Sequence, residues 1–116
     1  MRFEQQIVER QDGLCICGYS LAGNVDIHEA IIKRGDLPGD KRVRCEYNCV
    51  AVHHTMPCIL GGHIEYGNTK AYDKACINYL LWYYGCDKIV SWIESLGMIV
   101  LPGRAMEIIN ACKKFN

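Results

Sequence analysis

The chain has 116 residues, half of them hydrophobic and 22% charged, a composition that fits one globular domain and excludes a disordered chain. Its 13 basic and 13 acidic residues cancel. That balance excludes tight non-specific binding to nucleic acid through overall charge, because phosphate neutralisation needs clustered Lys and Arg. No apolar run reaches the roughly 18 residues of a membrane span.

The opening stretch, MRFEQQIVERQDG, is polar and lacks the apolar core of a secretion signal. A cytoplasmic setting is therefore expected, where Cys/His clusters hold metal more often than disulfides form. Residues 3–10 read as a short strand or a helical turn. Cys15-Ile16-Cys17-Gly18 reads as a knuckle, with the glycine freeing the backbone to turn. Residues 24–28 alternate apolar and polar, which suits a strand. Residues 34–40 hold Gly35, Pro38 and Gly39 and read as a loop. Residues 48–52 form a second β-prone run, and Gly61-Gly62 a turn.

The period then changes. Asn68 or Thr69 caps a helix reaching Tyr84, with Gly85 as its stop. Its apolar content marks it as the central buried helix. Asp87 caps a second helix over 88–96, ending at Gly97. Residues 98–101 are a short strand or connector, and Pro102-Gly103 a turn. Residues 104–115 read as a last amphipathic helix with Met106, Ile109 and Cys112 or Phe115 inward. Trp82, Tyr83, Tyr84 and Trp92 read as core rather than as a platform for stacking bases. The expected architecture is α+β in one domain, 1–116: a Cys/His-rich part over 13–70 and a helical part over 68–116.

All four histidines and five of the eight cysteines lie within residues 15–63. Thiolate and imidazole are the side chains that bind zinc best. A structural zinc wants two close pairs of ligands: Cys15 with Cys17, and His53 or His54 with Cys58. Cys45, Cys49, Cys76, Cys86 and Cys112 read as buried thiols. A second centre is suggested by His28-Glu29 at the end of one strand and His63 beyond the other, with Asn48 able to pin the loop between them. The 33–44 loop carries Lys33, Arg34, Lys41, Arg42 and Arg44 against two acids, so it is the candidate DNA contact.

The segments Cys15-Ile16-Cys17-Gly18, Asp26-Ile27-His28-Glu29-Ala30-Ile31, Asn48-Cys49-Val50-Ala51-Val52-His53-His54 and His63-Ile64-Glu65-Tyr66-Gly67-Asn68-Thr69 resemble the HNH endonuclease family of bacteriophage type, which often carries a zinc knuckle. The resemblance covers about residues 13–70. It implies a ββα-metal fold and hydrolysis of DNA phosphodiesters with magnesium or another divalent cation. It also implies His28, Asn48 and His63 as the motif residues, and the host-cell cytoplasm as the location. Three departures stand out. The knuckle has one residue between its cysteines, where the family usually has two. His53 stands where the family has a cysteine, in an unusually long loop. The first motif reads His28-Glu29, so either His28 is the metal ligand and Glu29 the base, or His28 is the base; His54 is a spare candidate. A homodimer would allow both strands to be cut. The competing expectation is a catalytically silent zinc module that binds nucleic acid or a partner protein. A weaker one is a metal site that serves folding alone.

Overall fold

The computed structural model describes residues 2–55 and 58–114. In chain order it contains α1 (Phe3–Arg10), β1 (Asp26–Glu29), a 3-10 turn (Lys41–Val43), β2 (Cys49–Val52), the single-turn α2 (His63–Tyr66), α3 (Lys70–Tyr84), α4 (Cys86–Ser95) and α5 (Gly103–Lys113). The class is α+β. Strands β1 and β2 pair antiparallel, with Asp26 opposite Val52 and Glu29 opposite Cys49.

All four residues of β2 are buried. A strand covered on both faces is apolar throughout rather than alternating, which is why Cys49-Val50-Ala51-Val52 carries no polar residue. Its open edge is saturated by side chains from the end of α1. The Gln11 amide accepts from Ala51 N–H (2.8 Å) and donates to Ala51 C=O (2.8 Å). Arg10 donates to Cys49 C=O (2.8 Å).

Residues 3–10 form two turns of helix, resolving the choice between strand and helical turn, and Ile7 is the residue this helix buries. Helix α3 has the expected span. Thr69, not Asn68, accepts from Tyr72 N–H as its cap, and Gly85 ends it at φ +85°. A positive φ favours glycine because a Cβ would clash there. Gly85 also opens α4, so that helix starts two residues before the expected 88. Helix α3 packs on α4, and α4 on α5.

Four expectations are corrected. Helix α3 buries Tyr72, Cys76, Ile77 and Leu80, a single stripe, so the helix is half-buried. Trp82 is 78% exposed and Tyr83 46%, which removes both from the core. Met106 is exposed; α5 buries Ile109 and Cys112 as expected, together with Ala105 and Ile108, and Phe115 lies outside the described residues. Cys86 and Cys112 are not core thiols but a disulfide, with Cα atoms 5.6 Å apart, joining the start of α4 to the end of α5. Among the described residues no helix is long and apolar enough to cross a membrane.

Candidate functional site

Two polar centres flank the sheet. The first is the Cys/His cluster. The turn after Cys15 folds back through Gly18, and the Cys17 N–H approaches the Cys15 sulfur at 3.4 Å. His53 follows β2 directly, and Cys58 follows five residues later. The ligand atoms of Cys15, Cys17, His53 and Cys58 all lie within 4.8 Å of one another. Cys15 Sγ is 3.9 Å from Cys58 Sγ, and Cys17 Sγ is 3.5 Å from His53 Nδ1.

A tetrahedral ion with metal–sulfur bonds of about 2.3 Å spaces its sulfurs by about 3.8 Å, and a sulfur and a nitrogen by about 3.6 Å. The two measured edges match. His53 Nε2 lies 2.8 Å from Ser20 C=O. Donation there fixes the tautomer and leaves Nδ1 bare towards Cys17, the usual arrangement behind a metal-bound imidazole. This set of three thiols and one imidazole could hold a metal ion and is consistent with a zinc site. Its members are the four read from the sequence, and His53 rather than His54 completes it.

Burial pushes the Cys15 thiol up, and pushes Cys58 up to about 12. Burial acts the same way on Cys17, but the Tyr19 N–H and the neighbouring thiols outweigh it and bring Cys17 below the ordinary value. One thiol thus gives up its proton more readily than a free thiol, beside two that give theirs up less readily. A cation must displace the remaining protons, which couples its binding to pH.

The second centre is a chain of acids and bases. Strand alternation puts Asp26 and His28 on one face of β1. His54 Nδ1 and His63 Nδ1 both reach Asp26 Oδ2, at 2.6 and 2.9 Å. His63 Nε2 meets His28 Nδ1 at 2.9 Å. His28 Nε2 meets Asp73 Oδ1 at 2.6 Å, and the same oxygen accepts from Lys33 Nζ at 2.6 Å. Gly67 makes room for the His63 ring, because a Cβ there would lie 2.6 Å from His63 Cδ2.

Burial, only partly offset by Asp73, holds His28 below the ordinary imidazole value; Lys33 and His63 add to this. Burial opposes the ionisation of Asp73 and Asp26, but hydrogen bonds outweigh it. His28 and Lys33 lower Asp73, and His54 and His63 lower Asp26. Both carboxylates are therefore charged, and His28 is neutral near pH 7.

Asn48 is fully buried and makes four hydrogen bonds. Its Oδ1 accepts from Ile31 N–H and Ile32 N–H, both 2.9 Å. Its Nδ2 donates to Ile32 C=O (2.8 Å) and Val43 C=O (2.7 Å). It pins both ends of the loop between the strands.

The structure thus brings His28 and His63 together and puts Asn48 beneath their loop, but it leaves Glu29 apart. Glu29 projects to the opposite face of β1, where Arg34 pairs with it at 3.3 Å. The basic loop is mostly neutralised internally: Arg42 pairs with Asp40 (2.6 Å) and Arg44 with Glu4 (3.0 Å). Lys33 is drawn into the histidine chain, and Lys41 has no ion pair among the described residues. Sequence reading missed Asp26 and Asp73. The first was legible, since residue i–2 on a strand shares the face of His28. The second lies 45 residues from His28 in sequence, and only helix docking joins them.

No family model, curated protein or solved structure matches this chain.

Proposed function

We propose that the chain is a metal-dependent endonuclease of the HNH type, hydrolysing DNA phosphodiesters at His28 and His63. One observation carries the reading. Three contacts run through this pair: Asp26 to His63, His63 to His28, and His28 to Asp73. Three hydrogen bonds need three protons, one more than a single N–H on each ring supplies. With each carboxylate taking one N–H, two bare nitrogens face each other at 2.9 Å. Such a pair calls for a shared proton or a cation. Adjacent nitrogen ligands of one first-row cation are about 3.0 Å apart, for bonds of about 2.1 Å at a right angle.

His28 and His63 would hold that ion, with Asp26 and Asp73 fixing their tautomers from behind. A divalent cation there supplies neutralisation of charge on a phosphate oxygen. The order β1, β2, α3, with one imidazole from β1 and the other entering just before the helix, fits a ββα-metal finger. Two imidazoles favour manganese, nickel or zinc over magnesium, which prefers oxygen ligands. Asn48 keeps the loop after β1 in place and so keeps His28 aimed. Cutting both strands would take a second copy or a second encounter.

The internal pairing of Arg34, Arg42 and Arg44 favours a second reading. It is a catalytically silent zinc module that meets a partner protein rather than a phosphate backbone. Supercoiled plasmid separates the two. The nuclease reading expects nicking with manganese that EDTA stops and that His28→Ala lowers by at least about 100-fold. Zinc-loaded, folded protein that nicks nothing under any divalent cation would leave the binding module.

A further inference from the structure

We infer that His54 is the general base of this site, accepting the proton of the attacking water at Nε2; the inference rests on the nuclease reading. Asp26 Oδ2 holds two imidazoles at once, His63 Nδ1 at 2.9 Å and His54 Nδ1 at 2.6 Å. One carboxylate oxygen thus sets the tautomer of both rings. In His54 it takes the Nδ1 proton and leaves Nε2 bare. That nitrogen has no hydrogen-bond partner among the described residues, and the side chain is 47% exposed. A carboxylate behind an imidazole, with the far nitrogen open to solvent, is how a histidine base is held for proton abstraction.

The backbone fixes the two rings relative to each other. His54 N–H donates to Asn24 Oδ1 (3.0 Å), and His54 C=O accepts from Ile64 N–H (3.0 Å). His63 N–H donates to His53 C=O (2.9 Å). The stretches 53–54 and 63–64 are therefore laced side by side. The other groups around the His28–His63 pair are unsuited to the task. Lys33 donates to Asp73 and to Glu29 C=O, Asp26 and Asp73 already accept from imidazoles, and Glu29 faces away. Tyr72, whose ring packs edge-on to His28 at 5.1 Å, is 2% exposed and closed to bulk water.

In the step, a water oxygen attacks phosphorus as its proton passes to His54 Nε2. The bond from phosphorus to one ester oxygen breaks, and its electron pair leaves on that oxygen, which takes a proton from solvent. The proton on His54 returns to solvent before the next turnover.

The test uses the full zinc-loaded chain, manganese and a labelled DNA duplex, with wild type, His54→Ala and His54→Asn. Asparagine keeps an N–H for Asp26 but has no basic nitrogen. Both variants are expected to lose kcat by about 10²- to 10³-fold, with zinc content and affinities for manganese and DNA unchanged. Added imidazole should restore His54→Ala and leave His28→Ala inactive. Wild-type kcat in His54→Asn would overturn the assignment and reduce His54 to a strut for Asp26. So would a loss in His54→Ala that imidazole does not repair. A wild type that cleaves nothing would instead remove the nuclease reading itself, and the inference with it.

Discussion

The two polar centres use the same residue types in opposite ways. In the Cys15–Cys17–His53–Cys58 cluster, four ligand atoms converge on one point, and three of them are soft sulfurs. Around His28 and His63 the groups form a line, His54–Asp26–His63–His28–Asp73–Lys33, in which a carboxylate stands behind each imidazole and two ring nitrogens, of His63 and His28, face each other. A converging set closes on an ion and excludes substrate. A line leaves most of an ion's coordination sphere open, which a reaction needs and a staple does not. The difference is one of arrangement, and the count of Cys and His alone does not show it.

The sharpest way to break this comparison is to remove one ligand from each centre. Cys58→Ser should cost several kcal/mol, since metal binding and folding are one process in small metal-stapled domains. Zinc content by mass spectrometry should fall from one ion per chain, and the melting temperature should drop by more than about 10 °C. His28→Ala should leave zinc content unchanged and abolish the nicking that the proposed nuclease would show. Equal loss of zinc in both variants would mean that the two centres are one.

Next in size is Asn48. Asn48→Ala strips four hydrogen bonds from a buried loop and leaves backbone groups unsatisfied, at a cost of about 3 kcal/mol in urea unfolding. A smaller effect comes from pH. His28 has a folded pKa below its ordinary 6.5, so the unfolded chain binds the extra proton first. Stability then rises with pH through the window below 6.5 and flattens above it. In zinc-loaded protein without a second cation, His28→Gln should flatten part of this acid limb. The smallest effect belongs to the helix surface. Trp82→Ala should shift stability by about 0.5 kcal/mol or less, while Leu80→Ala, two residues away on the buried stripe, should cost about 3 kcal/mol.

Much of this was legible in the sequence where local rules govern. The Thr69 cap, the Gly85 stop and the apolar run of β2 are local signals, and each marks its element. The four residues that could hold a metal ion were legible because thiols and imidazoles rarely crowd by chance. What escaped depended on docking. Aromatic spacing does not tell which stripe of α3 meets the core, and Trp82 lies on the stripe that does not. Nothing near Cys86 announces Cys112, because their pairing follows from the packing of α4 on α5. Asp73 reaches His28 only once α3 lies along the sheet. The charge of Lys33 is visible in the sequence, while its partner Asp73, 40 residues away, is not.

The Gln11 amide has a consequence for how this protein behaves in a crowded cell. A two-stranded sheet has two rims, and a bare rim of backbone groups is a template for the next chain. Here the outer rim of β2 is filled by a side chain that imitates a neighbouring strand, donor for acceptor, with Arg10 beside it on Cys49 C=O. The most apolar strand of the molecule is thereby made unavailable for intermolecular zippering. Loosening α1 would expose an aggregation-prone segment without touching either polar centre.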